Sequence, residues 1–204
     1  KDLGLFGSTA ILNDMTLLGV GSQGAVGTAG GTTTTLGRIG TGFIYADWNG
    51  QITYTTPNMN GFSASVGIFQ PWNAGALATG LSDTSSGDTD QFGYQGQASY
   101  SWTGDFAGKV WGGFFSQEVT GLAVGGDERA TAFEAGVSAT VANINLVAYG
   151  YSGEGVGTTG LLLDGFDAAG KERDSDGGYV QATYVIPTGT KLGASWGLSK
   201  LDDN

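Results

Sequence analysis

The chain has 204 residues, of which 39 are glycine, 11% are aromatic and only 13% are charged, and its formal net charge is −11. It contains no cysteine and no histidine, which excludes disulfides and thiolate nucleophiles and removes the usual general base and the commonest metal ligand. The acidic balance argues against nucleic acid as a partner, and no apolar run approaches the roughly 18 residues of a membrane helix. We therefore predict a protein that is not an enzyme, uses no cofactor and does not bind nucleic acid.

Residues 1–50 have no strand pattern. "KDLGLFGSTAILNDMTLLGVG" mixes Gly and Leu without regular alternation, and "GAVGTAGGTTTTLGRIGTG" is rich in glycine and threonine. A loop of such length is unusual inside a compact domain and usually has a function. We treat residues 1–50 as a segment distinct from the rest of the chain.

From residue 51 onwards the sequence alternates with a period of two. In "QFGYQGQASYSW" (91–102) one set of alternate residues is aromatic or small, and the other set is Gln, Ser or Gly. Side chains of a strand point alternately to opposite faces, so this segment is a strand with one apolar and one uncharged polar face. Seven further segments, two of which (107–119 and 144–153) alternate less cleanly, bring the predicted number of strands to eight: 51–57, 62–70, 107–119, 131–141, 144–153, 178–187 and 191–200.

The connections between these strands alternate between short and long. Short turns follow the first, third, fifth and seventh strands, whereas the second, fourth and sixth are followed by residues 71–90, 120–130 and 154–176. The long segments carry most of the charge and are predicted to be solvated loops. This pattern is typical of an antiparallel up-and-down sheet in which only one end is elaborated.

The apolar face could contact a second protein layer, as in a β-sandwich, or lipid. Three features favour lipid: the polar positions carry Gln, Ser, Thr and Gly instead of many charges, strands of roughly 9–12 residues match a tilted membrane crossing, and aromatic residues lie beside the short turns. These aromatic residues are Tyr54, Phe62, Tyr100, Trp102, Phe106 and Tyr184. We therefore predict that the apolar face contacts lipid and that the polar face lines a water-filled lumen.

Strands that cross lipid must close into a barrel, because unpaired backbone groups there cost several kcal/mol each. A barrel of eight strands is normally filled with side chains. Glycine and serine on the polar face would leave voids in so small a barrel. We therefore predict a wider barrel, of which this chain supplies a part.

The stretches "KDLGLFGSTAILNDMTLLGVG" and "GRIGTGFIYADWNGQITYTTPNMNGFSASVGIFQP" resemble the general Gram-negative outer-membrane porins. The resemblance implies an all-β, antiparallel up-and-down transmembrane β-barrel with about eight of a probable sixteen strands visible. It implies that residues 1–50 form an inward-folded constriction loop and residues 51–204 form eight strands of one barrel domain. A homotrimer in the bacterial outer membrane, in contact with lipid and lipopolysaccharide, is also implied. Strands before Lys1 and after Asn204 are expected, since family chains end on an aromatic residue and this one stops at "LDDN".

The same resemblance points to residues that would control permeation. Opposed carboxylates and cations across an aperture create a transverse field that sets ion preference. Candidates at the constriction are Asp2, Asp14, Arg38 and Asp47. Charges on the lumen side of strands, candidates for the lumen wall, are Lys109, Glu134 and Lys191. For each of them the alternative is an ordinary solvated loop or lumen residue.

The sequence therefore predicts a porin through which small hydrophilic solutes and ions diffuse passively. The net charge of −11 favours cations. The alternative function is that of a non-channel surface protein, such as an adhesin or a structural outer-membrane β-barrel.

Overall fold

The computed structural model describes residues 42, 44, 49–71, 91–120, 122, 126–158, 162, 164–167 and 169–202. The strands within these ranges are β1 Gln51–Thr55, β2 Phe62–Phe69, β3 Gly93–Trp102, β4 Ala107–Val119, β5 Glu128–Val141, β6 Ile144–Glu154, β7 Asp174–Val185 and β8 Lys191–Leu201. In this described part of the chain, no helix has the length and apolar character that a membrane crossing requires.

The eight strands form one antiparallel sheet in which each strand pairs with its neighbours in the chain, in the order β1 to β8. This confirms the predicted all-β, up-and-down fold. Short turns make the order possible: β5 and β6 are joined through Ala142 and Asn143 alone, with Ala142 at a φ of 50°. In the turn before β2, Gly61 has a φ of 95°, and a Cβ there would lie 2.1 Å from the Ser101 carbonyl oxygen, so only glycine fits.

Two strands begin earlier than the sequence pattern indicated. β5 starts at Glu128 and β7 at Asp174, in segments predicted to be charged loops. Backbone pairing continues there because a hydrogen-bonded ladder does not require apolar side chains, and polar cross-strand contacts replace them. The Arg129 guanidinium donates to Ser116 Oγ at 3.2 Å and to Gln91 Oε1 at 3.2 Å.

The connection between β6 and β7 is also less solvated than predicted. Val156, Leu162 and Phe166 in this connection are buried. The Thr158 hydroxyl donates to Asp164 Oδ2 at 2.6 Å and so joins the beginning of this connection to its later part. The described apolar residues of this connection thus belong to the buried cluster, whereas Asp164 and Asp167 stay partly exposed.

Candidate functional site

One face of the sheet, here called the apolar face, exposes large hydrophobic side chains. Ile52 is 75% exposed, Phe133 62% and Trp196 66%. A soluble domain rarely exposes a contiguous apolar patch of more than a few hundred square ångströms. Members of the apolar face recur on every strand, among them Tyr54, Val66, Tyr94, Val110, Phe114, Val137, Leu146, Val180, Tyr184, Leu192 and Leu198.

The opposite face, here called the covered face, buries polar side chains. Gln95 is 2% exposed and Thr183 4%. The Gln95 amide donates to Gln51 Oε1 at 3.0 Å and to Thr53 Oγ1 at 3.2 Å, so uncharged side chains link β3 to β1 across β2. A sheet that exposes large hydrophobic side chains on one face and buries glutamine and threonine on the other is unlike the sheet of a soluble protein.

The apolar band crosses the strands obliquely. On β2 the band runs from Phe62, which is exposed, to Ile68, which is half-buried, and on β8 it runs from Leu192 to Leu198. When the register is followed across the sheet, Phe62 lies level with Trp196 and Ile68 lies level with Asp202. On β8 both boundaries of the band therefore lie four residues closer to the short-turn end than on β2, over six strand spacings. With about 3.3 Å per residue and about 4.8 Å per strand spacing, the slope is roughly 25°. Strands that are tilted across a flat apolar layer give such a slope, although outer-membrane barrels usually tilt by about 35–45°.

The covered face also carries an aromatic cluster that sequence reasoning missed. Tyr149 and Tyr179 stack with ring centroids 5.3 Å apart. The Trp111 indole lies directly over Gly136, where a Cβ would be 2.1 Å from its Cζ2. The sequence signal for this cluster is a glycine on one strand opposite an aromatic residue on the next strand. It cannot be used until the register of the two strands is known. The members of the cluster are Trp111, Phe115, Tyr149, Tyr151 and Tyr179.

The structure places all three predicted wall charges on strands, with side chains of covered-face parity. Glu134, in β5, is buried and accepts a hydrogen bond from the Tyr149 hydroxyl. Lys109 is paired in register with Ser138 and is half-buried, whereas Lys191 begins β8 and is exposed. The lysines lie towards the short-turn end, whereas Glu134 lies in the middle of β5, four residues from the position in register with Lys109. The described structure therefore does not bring the three charges together as one cluster.

The candidate constriction residues Asp2, Asp14, Arg38 and Asp47 lie outside the described residues. Four residues of the same segment are described, 42, 44, 49 and 50, and of these Gly42 and Ile44 are buried. The Gly42 amide donates to Ser199 Oγ at 2.7 Å, which places the chain at this point on the covered face.

Two carboxyl groups meet at the loop end of the sheet. Glu128 lies five residues before Phe133, the outermost apolar residue of the apolar face on β5, and so outside the apolar band. A hydrogen bond with Glu172, together with the charge of that residue, raises the pKa of Glu128, while Lys171 acts in the opposite sense. Glu128 therefore takes up a proton at a higher pH than a solvated glutamate does.

No group of side chains suited to holding a metal ion occurs among the described residues. Residues 3–204 match the family model of the Gram-negative porins. No curated protein sequence and no solved structure matches the chain. The family match covers nearly every residue and agrees with a sheet whose apolar face is exposed and whose polar face is covered. The chain thus belongs to the Gram-negative porin family, whose members are β-barrel proteins of the bacterial outer membrane.

Proposed function

We propose that this porin is a water-filled channel for the passive diffusion of small hydrophilic solutes and ions, without catalysis and without a cofactor. The observation that carries the proposal is the reversed distribution of residues: Trp196 is 66% exposed while Gln95 is 2% exposed. An apolar exterior is stable in contact with hydrocarbon, and a wall that carries amides and hydroxyls suits an aqueous interior.

Residues 1–50 are proposed to narrow this channel as an inward-folded loop. The contact of Gly42 with Ser199 supports the proposal, because Ser199 belongs to the covered face. Within this loop, the charged residues proposed to lie at the constriction are Asp2, Asp14, Arg38 and Asp47.

The wall charges would modulate selectivity. Lys191 is exposed at covered-face parity and is placed to attract anions locally, while the Glu134 carboxylate is engaged by Tyr149. The chain as a whole has 19 acidic and 8 basic residues. A moderate preference for cations is therefore proposed, with Lys109 and Lys191 reducing it.

A wider, trimeric barrel in contact with lipid and lipopolysaccharide is proposed as the assembled state. Within the described sheet, β1 and β8 each pair on one side only. Backbone groups at an open edge in lipid would each cost several kcal/mol. Further strands at both edges remove this cost, in line with the sixteen strands that the resemblance implies.

Planar lipid bilayers test the channel directly. Purified protein added to one side should produce discrete conductance steps that scale with salt concentration. A non-channel surface protein, the alternative hypothesis, would insert without conducting. A bilayer that stays silent although the inserted protein resists extraction would contradict the channel function.

A further inference from the structure

Two residues upstream of the sheet, Gly42 and Ile44, are seated on the covered face by separate contacts. The seat of Gly42 is built from backbone. With a φ of 88°, this residue approaches so closely that a Cβ would lie 2.2 Å from the Gly178 carbonyl oxygen and 3.1 Å from Gly197 Cα. Since Gly197 has no side chain, there is space beside Ser199 for the backbone of Gly42.

The second contact is made by a tyrosine. The Tyr149 hydroxyl donates to Glu134 and also has a hydrogen bond to the backbone of Ile44. Ile44 itself is fully buried in the apolar cluster that includes Tyr149 and Tyr179. Stacking on Tyr179 and the hydrogen bond to Glu134 together fix the direction of the hydroxyl.

We propose that Ser199 and Tyr149 are positioning residues that latch the chain at Gly42 and Ile44 to the inner wall of the barrel, with Glu134 orienting Tyr149. The inference rests on the proposed channel, since its consequence is that the latch holds the inward-folded segment in place during permeation. The two contacts come from different strands, β6 and β8, so each can be removed without the other.

The test uses a single thiol to report whether residue 44 stays buried against the covered face. The chain has no cysteine, so Ile44→Cys introduces the only thiol. In otherwise unchanged protein this buried position should react slowly with a charged, water-soluble methanethiosulfonate reagent. Tyr149→Phe or Ser199→Ala should each raise the labelling rate about fivefold, the effect of losing one typical hydrogen bond on a local opening equilibrium.

Matched controls remove a hydroxyl elsewhere. Tyr184→Phe alters a tyrosine of the apolar face, and Ser195→Ala alters a serine on the same strand and face as Ser199. Both should change labelling less than twofold. Retained heat-modifiable migration in gel electrophoresis would confirm that every variant is folded.

Equal labelling in the Tyr149, Ser199 and control variants would overturn the latch, and so would rapid labelling of Ile44→Cys before any second change. Conductance is recorded separately. Selective labelling combined with a silent bilayer would support the latch and refute the channel, so the two failures are distinguishable.

Discussion

Replacing Val180 with arginine places a charge at the centre of the apolar band. Val180 is 53% exposed and lies on β7 midway between Tyr184, at the short-turn end, and Asp176, the first charged residue beyond the band on that strand. The eight residue-to-residue steps from Asp176 to Tyr184 span about 26 Å along the strand, close to the height of about 25 Å of an outer-membrane apolar band. Arginine at the midplane of such a band costs about 2–4 kcal/mol of stability.

The matched control is Ser152→Arg. Ser152 is exposed, is paired in register with Asp176 and lies at the edge of the band, where arginine costs about 0–1 kcal/mol. Urea titration of the protein folded into lipid vesicles, followed by tryptophan fluorescence, measures both free energies of unfolding. If Val180 instead faced water, both substitutions would stay within about 0.5 kcal/mol of the parent, as is usual on a soluble surface. That result would refute the assignment of the apolar face to lipid.

Three further predictions concern packing, selectivity and protonation. Gly136→Ala places a methyl group against the Trp111 indole and should lower the free energy of unfolding by about 1–3 kcal/mol. Gly104→Ala, where a Cβ would meet no atom within 4 Å, should be neutral in the same titration. Equal effects of the two substitutions would contradict the packing. Lys191→Glu should shift the reversal potential in a salt gradient towards cations while Lys191→Arg leaves it unchanged, and an unaltered potential in both would show that this side chain does not face the permeation path. Glu172→Gln should lower the pKa of Glu128 in a carbon-13 NMR titration, because it removes the negative charge that favours the protonated form of Glu128. The stabilisation of the fold by protonated Glu128 is present at low pH and is lost as the pH rises through the raised pKa. A pKa that does not move would exclude the pairing.

The architecture was predictable from sequence because strand side chains have a strict period of two. The alternation of Gln95 and Gln97 with aromatic and small residues identified both the strand and its polar face, and the length asymmetry of the connections gave the up-and-down order. Strand ends were less predictable. Glu128 and Asp174 extend β5 and β7 through backbone pairing, to which an apolar pattern is blind.

The inner wall was predicted only in part. Periodicity assigns a residue to a face but does not identify its cross-strand neighbour. The packing of Trp111 over Gly136 and the bond between Tyr149 and Glu134 both depend on register over two or more strands. Glu134 was predicted to be a wall residue, but its hydrogen-bond partner was not predicted, since Tyr149 lies on a strand whose alternation is weak.

Depth-dependent fluorescence quenching tests the central claim most directly. Trp196 is 66% exposed on the apolar face, whereas Trp111 is 5% exposed on the covered face. In single-tryptophan variants reconstituted with lipids brominated near the ends of their acyl chains, Trp196 should be strongly quenched and Trp111 should not. If aqueous acrylamide quenches Trp196 and the brominated lipids do not, the apolar face does not contact hydrocarbon, and the account of this chain as a channel wall is contradicted.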